Sequence, residues 1–199
     1  MKLRILTASA AVVSSVLCTP LCAQWSVGAE VGGDRFWGGS VEREGLRRSF
    51  RPFRPTTLGI SLARDGRLFS IGVTMRYSSA GMALEGDDAL SVVKGIFTVY
   101  SVAPELRYRI ATLGQANGVV VHAGPLFEIW RAVDERSETR VGAHSALSLY
   151  VPLGGNFGAS IAAGAAVIGS PFSNQQLVAE FERRPLWRRR FSAGLEYHL

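Results

Sequence analysis

The chain has 199 residues, a formal net charge of +6 and 47% hydrophobic residues. That length suits a single domain with its own core, and two cysteines are too few for the disulfide framework of a small secreted fold. The basic excess is mild, so the positions of the charges say more about partners than their sum does.

The first 23 residues have the anatomy of a secretory signal peptide. Lys2 and Arg4 form a basic start, residues 5–18 are apolar but too short to span a bilayer, and Ala23 offers a cleavage point. The alternative is a short membrane anchor. Cleavage after Ala23 would remove both cysteines and these two bases, leaving a mature domain of residues 24–199 without a thiol.

From Gln24 onward, apolar and polar residues alternate with a period of two, which is typical of β-strands and not of amphipathic helices. The segment LFSIGVTMRY at 68–77 shows the pattern clearly. It recurs in eight segments, each of which we predict to be a strand: 25–33, 57–63, 68–77, 100–110, 119–130, 143–151, 156–168 and a last one from about residue 187.

The connections between these segments alternate in length. Tight or short turns are predicted at 64–67, 111–118 and 153–156, and long polar loops at 34–56, 78–95, 131–142 and 169–186. Short turns at one end and long loops at the other are typical of transmembrane barrels. The predicted fold is therefore all-β, an eight-stranded antiparallel up-and-down transmembrane β-barrel, with both ends of the domain at the turn end.

A soluble barrel, with its apolar face around a ligand cavity, would share this alternation. Three features favour a membrane. One face of the strands carries charges, glycines and serines, which suits a narrow, filled lumen. The strands have the ~9 to 11 residues that a tilted span needs. Aromatic residues also gather near the strand ends, as in the girdles at bilayer interfaces: Trp25, Phe69, Tyr108, Phe157 and Tyr197 at the turn end, and Trp37, Tyr77, Trp130 and Trp187 at the loop end.

The last strand carries a further indication. Ser192, Gly194, Tyr197 and Leu199 resemble the assembly signal of bacterial outer-membrane proteins, with leucine in place of the usual final Phe or Trp. Together with the strand count and the loop alternation, this makes residues 24–199 resemble the small eight-stranded outer-membrane barrels, the OmpA/OmpX-like family. The resemblance implies a cell outer-membrane location, insertion by the barrel-assembly machinery, and a role in envelope integrity, adhesion or surface interaction.

Seven charged residues should face the lumen of such a barrel. They are Glu30, Arg76, Glu105, Arg107, Arg109, Glu128 and Glu196. Because eight strands enclose room for side chains only, we predict that these charges pair with one another and plug the lumen. The alternative is a narrow passive channel.

The three histidines do not indicate a catalytic or metal site. In the lipid A deacylases among eight-stranded barrels, His and Ser are close in sequence and face outward. Here Ser145 directly follows His144, so the two side chains point to opposite faces, and His122 has no serine nearby in the sequence. His198 does not complete a metal-ligand spacing. We predict no enzyme, cofactor or metal; a lipid A-modifying deacylase or acyltransferase is the alternative.

Arginine concentrates in the predicted loop 34–56 and in the segment 183–190. Guanidinium groups match phosphate in a two-point contact, and the lipopolysaccharide of the outer leaflet is rich in phosphate. We predict lipopolysaccharide contacts from Arg47, Arg48, Arg51, Arg188, Arg189 and Arg190. The alternative is ordinary solvated loop charge. We further expect a monomer among outer-membrane lipids, without a nucleic-acid partner.

Overall fold

The computed structural model describes residues 24–42, 49–85, 90–113, 117–132, 137–170 and 181–199. The predicted signal peptide lies outside the described residues. Neighbouring strands all pair antiparallel, and the first strand also pairs with the last, which closes the sheet into a barrel and confirms the predicted fold class. The strands are β1 (Gln24–Glu42), β2 (Ser49–Asp65), β3 (Phe69–Glu85), β4 (Leu90–Leu113), β5 (Asn117–Ala132), β6 (Glu138–Gly154), β7 (Phe157–Ile168) and β8 (Phe181–His198).

The strands are longer than predicted. β1 has 19 residues and β4 has 24. The predicted loops 34–56 and 78–95 are mostly strand, and the predicted loops 131–142 and 169–186 are partly strand. Polar composition marks where a strand leaves the apolar belt, but it does not end the pairing, because antiparallel ladders tolerate polar side chains on both faces outside a bilayer. The loop boundaries predicted from polarity were therefore wrong.

The short turns after β2 and after β6 lie where the alternation predicted them, at the end of the barrel that we call the turn end, whereas residues 114–116 of the third predicted turn lie outside the described residues. Between β6 and β7, Gly154 and Gly155 have φ angles of +120° and +56°. L-residues rarely adopt such angles, which explains the two glycines in this turn. The two ends of the domain meet here as well, since the Leu199 amide donates to the Trp25 carbonyl at 2.8 Å.

The outer wall of the barrel is apolar. Ile60, Ile161 and Phe191 are each more than 60% exposed. Aromatic pairs flank this belt, with ring centroids 4.7 Å apart for Phe69 and Tyr108 at the turn end. Such a surface is costly in water and stable against lipid.

Trp130 does not belong to the loop-end girdle, where the sequence placed it. Its side chain is almost fully buried inside the barrel. Trp130 and Glu128 are two residues apart on β5, so their side chains lie on the same face of the strand and both point inward. Among the residues that the structure describes, no helix is long and apolar enough to cross a membrane.

Candidate functional site in the barrel interior

Two arginines of β8 pair with two carboxylates in the loop-end half of the lumen. Arg190 contacts Asp34 at two points, 2.7 Å from Nε to Oδ1 and 2.8 Å from Nη2 to Oδ2. Arg188 Nη1 lies 2.6 Å from Glu128 Oε1. Thr57 donates a further hydrogen bond to Asp34 Oδ2 at 3.0 Å. Because buried charges are tolerated when they are paired and hydrogen-bonded, these contacts explain how all four groups can lie inside the protein.

Apolar side chains surround these ion pairs. Trp130 packs edge-on against Phe36 and Phe97, with ring centroids 6.0 Å and 5.9 Å apart, and its Nε1 donates to Glu128 Oε2 at 3.0 Å. We call the whole cluster the apolar cap, and strands from most of the barrel contribute to it: Phe36, Ala80, Phe97, Val99, Ala103, Leu126, Trp130, Ala166, Ile168 and Leu186. The cap thus approaches the ion pairs from most sides of the barrel.

Two more carboxylates are paired near mid-barrel. Glu30 Oε1 accepts from Arg76 Nε at 2.5 Å. A Cβ at Gly59 would come within 2.7 Å of the Glu30 side chain, so glycine there leaves room for this pair. Glu105 accepts from Arg107 Nη2 at 2.8 Å. Large charged side chains therefore lie opposite small residues, as a narrow barrel requires.

The turn-end half of the lumen is lined mostly by polar and charged side chains. A cavity of about 210 Å³ lies there, and Arg109 and Glu196 are among the residues that line it. Tyr150 Oη lies 2.9 Å from His198 Nε2, and His198 Nδ1 lies 3.4 Å from Asp65 Oδ2. The side chains of His198 and Asp65 are each about one quarter exposed, so water reaches this group.

A serine, a histidine and a glutamate are connected at the inner end of this cavity. His122 Nε2 and Ser148 Oγ are hydrogen-bonded at 2.7 Å, and His122 Nδ1 lies 3.5 Å from Glu105 Oε2. Thr74 also holds Glu105, donating at 2.7 Å. In chemical terms, a hydroxyl, a base and an orienting carboxylate follow one another in the order that activates a nucleophile.

The seven residues predicted for the lumen network divide into two groups. Glu30 with Arg76, and Glu105 with Arg107, form ion pairs, whereas Glu128 pairs with a residue outside the predicted set. Arg109 and Glu196 line the turn-end cavity instead. Among the described residues, the interior charges that the sequence analysis missed include Asp34, Arg188 and Arg190. Strand alternation could have found them, since Arg188 and Arg190 lie on the same face of β8 as Ser192, and Asp34 lies on the same face of β1 as Glu30.

The predicted lipopolysaccharide contacts need a correction for this reason. Arg188 is buried and Arg190 is largely enclosed, so neither lies on a loop surface. Arg189 points the other way and is exposed on the outer wall, with its Cζ 4.8 Å from the centre of the Trp37 ring. Arg51 lies in β2, but its side chain is outside the described residues, as are Arg47 and Arg48 entirely.

The residues of the predicted assembly signal lie in the last part of β8, except for Leu199, which follows directly after it. Tyr197 and Leu199 are exposed on the outer wall, while Ser192 and Gly194 face inward. Ser192 donates to Glu30 Oε2 at 3.3 Å, so it also belongs to the interior network.

A scan against protein-family models finds no match to this chain, and neither does a search of curated proteins. Solved structures do resemble it. The crystal structure of Neisserial surface protein A (NspA) aligns with a TM-score of 0.59 at 13% identity, covering 87% of this chain and 96% of that one. The solid-state NMR structure of outer membrane protein AlkL in lipid bilayers aligns with a TM-score of 0.52 at 11% identity, covering 89% and 90%.

A third similar structure is that of a major outer membrane protein from Thermus thermophilus. It aligns with a TM-score of 0.50 at 13% identity, covering 88% of this chain and 99% of that one. The chain therefore has the fold of the small eight-stranded outer-membrane β-barrels. Its apolar outer wall is the kind of surface that such barrels present to lipid.

Proposed function

We propose that this chain is a structural and surface-interaction barrel whose lumen is closed to ions, and that it is not an enzyme. The observation that carries the proposal is the filled loop-end half of the lumen. There the apolar cap packs on the Arg188–Glu128 pair, through Phe36 and Trp130, and the buried Arg190–Asp34 pair lies beside it. An ion passing this point would have to leave its water behind and displace buried, paired charges.

The middle of the lumen supports the same conclusion. The cavity among Glu30, Arg76 and Glu105 has a volume of about 60 Å³, which holds only a few water molecules. A conducting pore needs continuous water from one mouth to the other. In eight-stranded barrels the interior is just wide enough for side chains, in contrast to the wide porins.

Conductance in a planar bilayer tests the closed lumen. Folding of the sample is first checked by its gel mobility, because a folded barrel migrates differently before and after boiling. We expect the folded protein to give no discrete current steps under conditions in which a wide porin does. Reproducible steps that scale with salt concentration would contradict the proposal and favour a narrow channel.

The surface role follows from the orientation. Barrels of this type expose their longer loops outside the cell and their short turns to the periplasm. On that basis the strand ends beyond the apolar belt project from the surface. Deletion of the gene should sensitise cells to detergent or reduce their attachment to surfaces, and plasmid-borne protein should restore whichever property has changed. Cells that change in neither property would contradict an envelope or adhesion role.

A second candidate function rests on the hydrogen bond between Ser148 and His122. This pair, with Glu105 behind it, favours hydrolysis of a small ester that enters from the turn-end cavity. It does not favour action on lipid A, because the three side chains face the lumen and not the lipid. A fluorophosphonate probe, followed by mass spectrometry of the labelled peptide, separates the two functions. Labelling of folded protein at Ser148 would support a hydrolase; unlabelled Ser148 agrees with a purely structural hydrogen bond.

A further inference from the structure

Two arginines lie side by side on the outer wall of the barrel. Arg35 on β1 and Arg189 on β8 are direct partners in the strand ladder, and both side chains are exposed. The next outward-facing pair toward the loops is Trp37 with Trp187. Toward the turn end the next pair is Gly33 with Phe191, and Phe191 is 68% exposed. The two arginines thus lie within the loop-end aromatic girdle, at the edge of the apolar belt.

This arrangement lacks a counter-charge within the described part of the chain. None of the described carboxylates forms an ion pair with Arg35 or Arg189, since Asp34 and Glu128 point inward. Like charges directly opposite each other in an antiparallel pair are destabilising, and arginine on the lipid face adds a further cost. The stacking of Arg189 on the Trp37 ring orients one guanidinium but does not neutralise it. An anion from outside the protein would offset both costs.

An apolar groove on the outer wall begins next to the arginine pair, on its turn-end side. Phe191 is the ladder partner of Ala163, one step toward the turn end from Arg189 and Ala165. Small side chains at Ala163 and Ala193 leave a depression between larger apolar neighbours. The groove is lined by Val31, Leu147, Ile161, Ala163, Phe191 and Ala193. A lipid would match this arrangement, with its charged headgroup at the arginine pair and one acyl chain in the apolar groove.

We propose that Arg35 and Arg189 bind the phosphates of lipopolysaccharide, with an acyl chain of its lipid A part in the groove. This inference deepens the proposed surface role by naming a partner, and it rests on that role. Two adjacent guanidinium groups match a headgroup that carries more than one negative charge. A zwitterionic phospholipid carries a single phosphate whose charge its own amine offsets, so it fits the pair less well.

The test is a lipid A titration of the folded protein in a nonionic detergent without phosphate groups, with bound lipid counted by native mass spectrometry. Charge-assisted hydrogen bonds to two arginines predict that the double variant R35Q/R189Q binds lipid A about tenfold more weakly or worse. The matched control is Arg131→Gln, which removes an exposed arginine from β5 away from the pair. We expect the control to bind like the unmodified protein.

Two further measurements distinguish a lipid site from a general effect of charge. Ala163→Phe fills the groove without changing any charge, and it should weaken binding of lipid A while leaving binding of inorganic pyrophosphate unchanged. In detergent alone, Arg35→Gln should raise the unfolding temperature, because it relieves the repulsion from Arg189. After lipid A is added, the unmodified protein should gain more stability than the variant does.

Two results of the lipid titration would contradict the proposal. Equal lipid A binding by R35Q/R189Q and by the unmodified protein would overturn the proposal. Equal binding of phosphatidylethanolamine and lipid A by the unmodified protein would overturn the assignment to lipopolysaccharide. The conductance measurement is independent of lipid binding. A protein that gives no current and does not bind lipid A would therefore refute this inference and leave the proposal of a closed lumen standing.

Discussion

The two halves of the lumen are built from the same eight strands but are filled in opposite ways. In the loop-end half, Arg188 and Glu128 are buried against the apolar cap. In the turn-end half, Tyr150, His198 and Asp65 face a cavity of about 210 Å³. The strand alternation determines which residues point inward, but the size and polarity of those residues determine whether the lumen has room for water. We infer that the loop-end half supplies most of the interior stability, and that groups able to react with solutes lie at the turn end.

The largest expected contrast between the halves is in chemical accessibility. β7 offers one inward-facing residue in each half for this comparison: Ser160 lines the turn-end cavity, and Ala166 belongs to the apolar cap. Both native cysteines lie within residues 1–23, so a chain that starts at Gln24 is free of thiols. We expect a small charged thiosulfonate reagent to modify folded Ser160→Cys readily and folded Ala166→Cys hardly at all.

The unfolded variants provide the control for this contrast, since both cysteines should react alike in urea. Equal rates in the folded protein would mean that water reaches the apolar cap. That result would remove the distinction between the halves and would also weaken the proposal of a closed lumen.

The next largest effect should come from breaking a buried ion pair. Glu128→Ala leaves the buried Arg188 guanidinium with only Asp34, at 3.9 Å, as a counter-charge, and it removes the acceptor of the Trp130 Nε1 hydrogen bond. Removing one partner of such a pair typically costs about 3 to 5 kcal/mol. We expect a loss of that size in the free energy of unfolding, measured by urea titration with gel mobility as the readout.

The control for Glu128 is Glu138→Ala on β6, whose carboxylate is about one third exposed, although its partner Arg140 is only 16% exposed. Because Glu138 is partly solvated and Arg140 keeps its hydrogen bond to the Ser170 carbonyl, this variant should cost clearly less than Glu128→Ala. The double variant Glu128→Leu with Arg188→Met should recover much of the stability, because no unpaired charge remains between them. A double variant as unstable as Glu128→Ala would show that the ion pair was not the cause.

The sequence predicted the fold well because period-two alternation and turn chemistry are local signals. The strand number, the short turns and the outward face of residues such as Phe69 all follow from them. Strand ends were less predictable. RRPLWRRR was interpreted as loop because of its charge, whereas parity counted back from Ser192 would have turned Arg190 and Arg188 inward and left Arg189 on the wall.

Contacts between strands were harder still to predict. Ser148 and His122 are 26 positions apart, and their hydrogen bond depends on the register between β5 and β6. A shift of one residue would turn every side chain of a strand to the other face, and nothing in either strand alone specifies that register. The same holds for Arg35 and Arg189, which become neighbours only when β8 closes against β1.

The smallest expected effects come from removing single hydroxyl groups, one in each half. Thr57→Val deletes the hydrogen bond to the buried Asp34 carboxylate, and such bonds to charged groups contribute about 1.5 to 3 kcal/mol. Tyr150→Phe deletes the bond to His198, where water can take its place, so the loss should be at or below about 1 kcal/mol. Both variants keep nearly the shape of the native side chain, and urea titration measures both losses. Because the two hydrogen bonds have similar lengths, a difference between the two losses in the free energy of unfolding would reflect how well water reaches each site. Equal losses would mean that the turn-end cavity excludes water as well as the loop-end half does.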